Sequence, residues 1–269
     1  MRQALILLIA SVGLAACDVD VPAPDRGAQV LVCGEEIARL VVAMGAGSSV
    51  LGADSASRSH TGLSAVADLG DSCEAAPALA PSIGVDVTLL DGSVPGLADR
   101  LFAQGVHFRV LAPTTLNGVL DSYRELGSLL AMESRALILS ARITRGISAI
   151  AVRRDGKTRL RVAWILDPDA DTGSWHAVGA SGILHELLEL AGAENAFHES
   201  LTASHLASEK ELVRAGAEVV LADTGSTALR NLGLAAEVRA VPRALRRLPI
   251  LDPLARVEAL HAILYPSAE

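Results

Sequence analysis

Two short polar segments carry the residues that could bind a metal-containing ligand. The first contains Arg58, Ser59 and His60, and the second contains Trp175 and His176. Neutral imidazole is a normal iron ligand, and the forked guanidinium of arginine suits carboxylate or phosphate groups. The alternative for each residue is a solvated side chain in a surface loop. The two segments are therefore candidate walls of a ligand site.

The remaining chemistry-bearing residues follow no catalytic or metal-binding motif. The seven histidines include no HExxH spacing, and the cysteines include no CxxC pair. His185 falls on a helical pattern and is expected at the boundary of a core, while His107 and His261 are expected to be structural or exposed. The chain also lacks a nucleophile elbow, a P-loop and a GxGxxG motif. No residue pattern specifically supports an enzyme.

The elements around the polar segments alternate between strand and helix. The run from Glu35 to Met44 has apolar residues at helical spacing and acidic residues in its first turn, which predicts an amphipathic helix. The two polar segments, 54–62 and 167–178, are expected to be loops that follow strands. Strands separated by helices indicate a mostly parallel sheet with helices on both faces. Apolar runs predict strands at residues 29–33, 49–53, 85–90, 107–111, 160–165 and 218–222.

The two halves of the chain resemble each other. Residues 37–50 match 184–197 in a helix followed by glycine, and 84–92 match 216–225 around a strand. Between the halves, 115–152 keeps a helical rhythm, as one long helix or two in succession. We therefore predict an α/β fold of two lobes, each a small parallel sheet flanked by helices, with a bridging long helix and a ligand between the lobes at the carboxyl ends of the strands. The predicted boundaries are 28–114 for the N-terminal lobe, 115–156 for the bridging helix and 157–269 for the C-terminal lobe.

The N-terminus predicts export and lipid attachment. A positively charged start precedes an apolar run, 4–14, which is too short to span a bilayer and leads into Leu-Ala-Ala-Cys. This pattern resembles a bacterial lipobox, so residues 1–16 are expected to be a signal peptide and Cys17 the lipidated residue. Asp18 resembles a signal for retention at the inner membrane, and 17–27 is expected to form a tether. The alternative is an ordinary signal peptide with an incidental cysteine.

The composition indicates an acidic, globular body in an oxidising compartment. The formal net charge is −8, which argues against nucleic acid as a partner. Hydrophobic residues make up 51% of the chain, as expected for a packed protein. Two cysteines, Cys33 and Cys73, lie in the body. A disulfide between them is favoured, and thiolate ligation of a metal or haem is the alternative.

Over nearly all of its mature length the chain resembles the class III periplasmic binding proteins, the receptors of haem, cobalamin and ferric-siderophore importers. The most specific similarity is 178–197, VGASGILHELLELAGAENAF, which resembles the second-lobe entry of haemin-binding members. Residues 206–221 resemble the helix and strand that follow, and 252–264 resemble the closing helix. Residues 43–54 resemble a segment of the first lobe.

The resemblance implies roles for individual ligand-binding residues. Haemin-binding members often use a tyrosine that binds the iron, and this position falls on Ser59. His60 is next to it and is the expected replacement as haem-iron ligand. His176 is expected to face His60 across the cleft, with Trp175 covering the ligand plane. His205 falls where the family often has a residue that contacts the ligand.

The resemblance also implies docking on a transporter. Family members usually carry a surface glutamate on each lobe for this purpose. The first-lobe position falls on Ala78, and the second lobe offers Glu209 or Glu211. The loss of the first-lobe glutamate and of the tyrosine keeps open an accessory or scaffold lipoprotein that has retained the fold.

The predicted function is that of a substrate-binding lipoprotein of an ABC importer, and not of an enzyme. It would lie in the periplasm, anchored to the inner membrane through Cys17, and deliver haemin from the interlobe cleft to the permease. Haemin would be a transported ligand, and no resident cofactor is expected. A corrinoid or ferric-siderophore receptor is the first alternative.

Overall fold

The computed structural model describes most of the body of the protein. The predicted signal peptide, Cys17 and the tether up to residue 26 lie outside the described residues, as does the side chain of His60. Within the described part, no helix has the length and apolar character needed to cross a membrane. The described residues are 27–60, 62–169, 173–223, 226–232, 234–242, 245 and 250–266.

The first lobe is built on a parallel sheet of five strands. The order is β3-β2-β1-β4-β5, so β1 lies at the centre. The strands are β1 (Val30–Cys33), β2 (Val50–Ala53), β3 (Ala67–Asp68), β4 (Val87–Leu90) and β5 (Phe108–Val110). The helices are α1 (Glu35–Ala43), α2 (Ser55–His60), α3 (Ala76–Leu79) and α4 (Leu97–Ala103), with 3-10 turns at Gly47–Ser49 and Ala80–Ser82.

The central strand shows why this lobe forms a three-layer structure. All four residues of β1 are buried, as expected for a strand covered on both faces. Val30 and Val32 belong to the cluster that contains Ile37 of α1, whereas Leu31 and Cys33 belong to the opposite cluster with Leu97 of α4. Successive side chains of β1 therefore point to opposite faces of the sheet and contribute to the hydrophobic cluster on each face.

Two helices in succession form the bridge between the lobes. They are α5 (Leu116–Leu129) and α6 (Glu133–Arg154). The chain turns between them at Ala131, which has a φ of 54°. A Cβ atom at Gly127 would lie 2.6 Å from the Cβ of Ala136, so the glycine permits the two helices to pack closely. Of the two predicted arrangements, the structure has the pair of helices.

The second lobe contains a sheet of six strands. The order is β11-β10-β6-β7-β9, and β8 pairs with the start of β6. The strands are β6 (Leu160–Pro168), β7 (Trp175–Val178), β8 (Ala193–Asn195), β9 (Ser204–Ala207), β10 (Val219–Ala222) and β11 (Glu237–Ala240). The helices are α7 (Ile183–Leu190), α8 (Glu209–Arg214), α9 (Ser226–Arg230) and α10 (Pro253–Leu264).

This second sheet is mixed, whereas a parallel sheet was expected. Strand β7 runs antiparallel to both β6 and β9, while β10 runs parallel to β6 and β11. The chain leaves β6 at Pro168 and enters β7 at Trp175. A connection of this length is too short for a crossover helix, so the next strand must return antiparallel. The two-lobed α/β architecture itself is confirmed.

One hydrophobic cluster is shared by both lobes and the bridge. It joins residues of β1 and α1 to Val119 and Leu126 of α5, to Ile150 of α6, and to Trp164 and Leu260 of the second lobe. The outer face of each sheet has a separate cluster. The lobes therefore meet through a continuous core and not only through the chain that links them.

Candidate functional site

Polar residues or glycine follow the carboxyl ends of the central strands in both lobes. In the first lobe, β1 ends before Gly34, and β2 and β4 end before Asp54 and Asp91. In the second lobe, β10 ends before Asp223. The buried Arg256 of α10 has Asp223 as a charge neighbour from one lobe and Glu36 of α1 from the other. In open α/β sheets this edge is where ligands bind.

The first-lobe edge is organised by the carboxylate of Asp54, which is 6% exposed. Its Oδ2 accepts hydrogen bonds from the backbone N–H of Gly34 at 2.9 Å and from the hydroxyl of Ser57 at 2.5 Å. Its Oδ1 accepts the backbone N–H of Ser57 at 2.9 Å. Asp54 thereby links the end of β1 to helix α2.

Gly34 is required at this edge because its backbone lies against Asp91. A Cβ atom at residue 34 would fall 2.1 Å from Oδ2 of Asp91, and the φ of Gly34 is 135°. Asp91 also accepts the backbone N–H of Ser93 through Oδ1 at 2.9 Å. Only glycine combines this backbone conformation with this approach.

Cys33 and Cys73 form a disulfide next to this edge. Their Cα atoms are 6.0 Å apart, and the residues are 1% and 0% exposed. The bond joins the end of β1 to the segment before α3. The expectation of a disulfide between these two cysteines is confirmed. Cys33 also lines a hollow of about 230 Å³, together with Asp91, Val94 and Val110. The first-lobe wall is thus covalently braced directly beneath this hollow.

The segment expected to be a polar loop after β2 is the short helix α2. Within it, Arg58 pairs with Asp68 through Nη1, and its Nη2 donates to the carbonyl of Ser64 at 2.9 Å. The pKa of Asp68 is lowered, first by the backbone N–H of Gly70 and further by the charge of Arg58. Ser59 is exposed and donates to the carbonyl of Ser55 at 2.8 Å. Both terminal nitrogens of Arg58 thus have partners within the first lobe.

The second predicted loop, 167–178, is the hairpin between β6 and β7. Trp175 and His176 are successive residues of β7, so their side chains point to opposite faces of the sheet. Trp175 is 6% exposed and belongs to the outer cluster with Ala163 and Phe197, which corrects its expected role as a cover of the ligand plane. His176 remains accessible, with its Nε2 3.5 Å from Oδ2 of Asp169 and a side chain 40% exposed.

The side chain of His205 lies on the opposite face of the sheet from that of His176. His205 belongs to β9 and is paired with Ala177 of β7. Its ring packs against Phe197, with the ring centroids 5.1 Å apart. It lines a hollow of about 430 Å³ that also contains Arg161, near the amino end of β6. His176 is paired with Leu206, the neighbour of His205 in β9, and the side chains of Leu206 and His205 face opposite sides of the sheet. The structure therefore does not bring His205 together with His176.

The two glutamates considered for docking differ in their surroundings. Glu211 forms a capping box with Ser208, whose hydroxyl and backbone N–H both donate to Oε2 of the glutamate. These hydrogen bonds, the hydroxyl first, lower the pKa of Glu211. Glu209 is exposed on the same helix. Ala78, at the corresponding first-lobe position, is also exposed.

Sequence reasoning missed the aspartates and the arginine that organise the strand ends. Asp223 accepts the indole N–H of Trp164 at 2.8 Å, and Arg256 lies 8% exposed beside it. The available signal was positional, because Asp54, Asp91 and Asp223 each come directly after an apolar strand. Among the described residues, no group of three or more histidine, cysteine, aspartate or glutamate side chains could hold a metal ion.

Comparison with known proteins gives a clear result for the fold. No family model matches the sequence, and no curated protein matches it significantly. Solved structures do match along almost their whole length. An ABC transporter substrate-binding protein from Listeria monocytogenes matches with a TM-score of 0.73 at 15% identity, covering 89% of this chain and 99% of that one. The chain has the fold of periplasmic substrate-binding proteins.

Two further structures of this fold differ in the ligand named for them. The periplasmic haem-binding protein of Vibrio cholerae matches with a TM-score of 0.72 at 18% identity, covering 88% of this chain and 99% of that one. The periplasmic vitamin B12-binding protein of the same organism matches with a TM-score of 0.68 at 14% identity, covering 88% and 96%. All three are binding proteins, and the similarity to them is one of fold.

Proposed function

We propose that the protein is the extracytoplasmic substrate-binding component of an ABC importer and that it binds haemin between its lobes. The observation that supports this most strongly is the end-to-end structural match, which covers 99% of both the Listeria transporter protein and the Vibrio haem-binding protein. Both lobes and the helical bridge are thus included in the match. Anchoring to the inner membrane through Cys17 is part of the same proposal.

The donor to the haem iron would be a histidine. The chain has two tyrosines, Tyr123 and Tyr265. The hydroxyl of Tyr123 is buried and donates to the carbonyl of Leu251 at 2.7 Å. The hydroxyl of Tyr265 lies 2.8 Å from the carbonyl of Gly192. Because both phenols have structural hydrogen bonds, the proposed donors are His60, which directly follows Ser59, and the accessible His176.

An absorbance titration of the purified body with haemin, cobalamin and a ferric siderophore tests the ligand. Haemin should shift the Soret band and raise the melting temperature, since a ligand that binds only the folded state stabilises it. Both effects should fall in His60→Ala and fall less in His176→Ala. His205→Ala is the matched control and should bind like the wild type, because the side chain of His205 lies on the opposite face of the sheet from that of His176.

Each outcome of the titration separates the candidates. Binding of cobalamin or a siderophore but not haemin would move the proposal to that ligand. Haemin binding that is unchanged in His60→Ala would remove His60 as the donor. If the wild type binds none of the three, the receptor proposal fails and an accessory lipoprotein of this fold is the remaining candidate.

Docking on the permease is proposed to use Glu209 and not Glu211, because Glu211 is engaged in the cap of α8. Reversing the charge in Glu209→Lys should reduce uptake of labelled haemin by cells, while the purified variant still binds haemin like the wild type. Equal uptake by the variant and the wild type would exclude Glu209 as a docking residue.

A further inference from the structure

A hydrogen bond connects the two lobes outside the bridging helices. The backbone N–H of Ile250 donates to Oε1 of Glu36 at 3.0 Å, and the two residues are separated by 214 positions in the chain. Glu36 lies in the first turn of α1, immediately past the carboxyl end of β1. Ile250 lies just before α10 in the second lobe. The contact therefore joins the lobes at the edge where a ligand would enter.

A buried cation lies next to this contact. Arg256 of α10 is 8% exposed and has Glu36 and Asp223 as its negatively charged neighbours. Asp223 directly follows β10 and accepts the indole N–H of Trp164 at 2.8 Å. Arg256 thus interacts electrostatically with one carboxylate from each lobe.

In this arrangement, the electrostatic stabilisation of the buried Arg256 depends on the relative position of the two lobes. Burial lowers the pKa of Arg256, whereas the charges of Glu36 and Asp223 favour its protonated form. A buried guanidinium needs such compensation, because removing one partner of a buried charge pair is strongly destabilising. Separation of the lobes would carry Glu36 away with α1 and leave Arg256 with the second-lobe carboxylate. Opening therefore has an electrostatic cost.

We propose that Glu36, through its hydrogen bond to the Ile250 amide and its charge beside the buried Arg256, forms an interlobe tie, which holds the carboxyl edges of the two sheets together in the ligand-free protein. The tie consists of contacts within this chain and does not depend on which ligand binds. An experiment that contradicts the tie would therefore not affect the ligand proposal. An experiment that contradicts the ligand proposal would not affect the tie.

Hydrogen exchange of the Ile250 amide measures the tie directly in Glu36→Gln. The glutamine amide oxygen can still accept the Ile250 N–H, so this variant removes the charge and keeps the shape. We expect the Ile250 amide to exchange about tenfold faster than in the wild type. The matched control is Glu35→Gln, one residue earlier, where the carboxylate pairs with Arg39 within the same helix. The control should exchange at the wild-type rate.

Two reference amides distinguish lobe separation from unfolding. Val32 and Val162 are fully buried in the central strands of the first and second sheets. Their exchange should stay slow in Glu36→Gln, while small-angle scattering shows a larger radius of gyration than in Glu35→Gln. The proposal is overturned if Ile250 exchanges alike in both variants. It is also overturned if Val32 and Val162 accelerate as much as Ile250, since Glu36 would then support the fold and not the lobe position.

Discussion

The carboxyl edge of the first-lobe sheet is held by a disulfide and by a buried carboxylate, whereas that of the second-lobe sheet has no disulfide. In the first lobe a disulfide holds the end of β1, and the buried Asp54 fixes both Gly34 and Ser57. The second lobe contains no cysteine. Its edge is formed by a hairpin whose residue His176 remains 40% exposed.

Under the proposed function, this difference gives the two walls different tasks. A wall held by covalent and buried polar bonds keeps its shape when a ligand arrives, and contributes preorganisation. A hairpin with exposed polar side chains has lower local stability and can adjust to the ligand. Small adjustments to a ligand should therefore occur mainly in the second lobe, around β6 and β7.

The largest expected effect comes from removing the brace of the first lobe. Replacing both cysteines in Cys33→Ala/Cys73→Ala should lower the free energy of unfolding by about 4 kcal/mol, because the bond closes a loop of 40 residues. Urea unfolding measures the change. Reductant should destabilise the wild type and have no effect on the double variant. Equal stability of the two proteins would mean that the first edge needs no covalent brace.

The junction between the bridge and the second lobe should weaken at alkaline pH. Burial raises the pKa of Tyr123 to about 12 from its ordinary value of 10.0, and the charge of Asp252 adds to this. The folded state keeps the phenol proton while the unfolded state loses it, so this stabilisation is complete below pH 10 and is lost between about pH 10 and 12. Two pKa units correspond to about 2–3 kcal/mol.

Unfolding free energies measured from pH 9 to 12 in the wild type and in Tyr123→Phe check this. The difference in stability between the two proteins should shrink as the pH rises. Parallel curves would show that Tyr123 titrates alike in the folded and unfolded states, and that this junction is not sensitive to pH.

The two tryptophans of the second lobe form a matched pair. Both are buried, but the indole N–H of Trp164 donates to Asp223, whereas that of Trp175 has no hydrogen-bond partner among the described residues. Substitution by phenylalanine removes similar volume at each site. Trp164→Phe should therefore cost about 2 kcal/mol more than Trp175→Phe, because it also removes a hydrogen bond to a carboxylate. Thermal unfolding of both variants measures the difference. Equal losses of stability would contradict a stabilising role of the hydrogen bond between Trp164 and Asp223.

The smallest effect is expected in helix α8. Glu211→Ala removes the capping box and should lower stability by about 0.5–1 kcal/mol. Glu209→Ala changes the same residue type on the same helix without touching the cap, and should leave the unfolding curve unchanged. A loss of stability in Glu209→Ala as large as that in Glu211→Ala would show that Glu209 also has a structural role.

Much of the fold was predictable because its signals are local. The strands at residues 29–33 and 218–222 and the helix that begins at Glu35 follow from apolar periodicity, and the structure has each of them within two residues. Periodicity is less informative where a polar segment forms a regular element. Helix α2 and the whole of β7 were expected as loops, because the sequence of α2 is polar and β7 is only four residues long.

The site was less predictable than the fold. His176 was expected in a loop and lies within β7, and neighbouring Trp175 is buried, since alternate residues of a strand face opposite sides. Arg58 and Glu211 carry suitable side chains for binding, yet both are engaged by partners within their own lobe. Residue type alone does not show whether a polar group is already satisfied.

The sequence by itself determined the order of elements, the two-lobed α/β class and the acidic composition, because these depend on patterns within short windows of the chain. Only the tertiary structure decided that the second sheet is mixed, which carboxylates organise the strand ends, and that Glu36 meets Ile250 across 214 positions. The physical reason is that hydrogen bonds and charge pairs act over a few ångströms in space. Which groups come within that distance is set by packing of the whole chain.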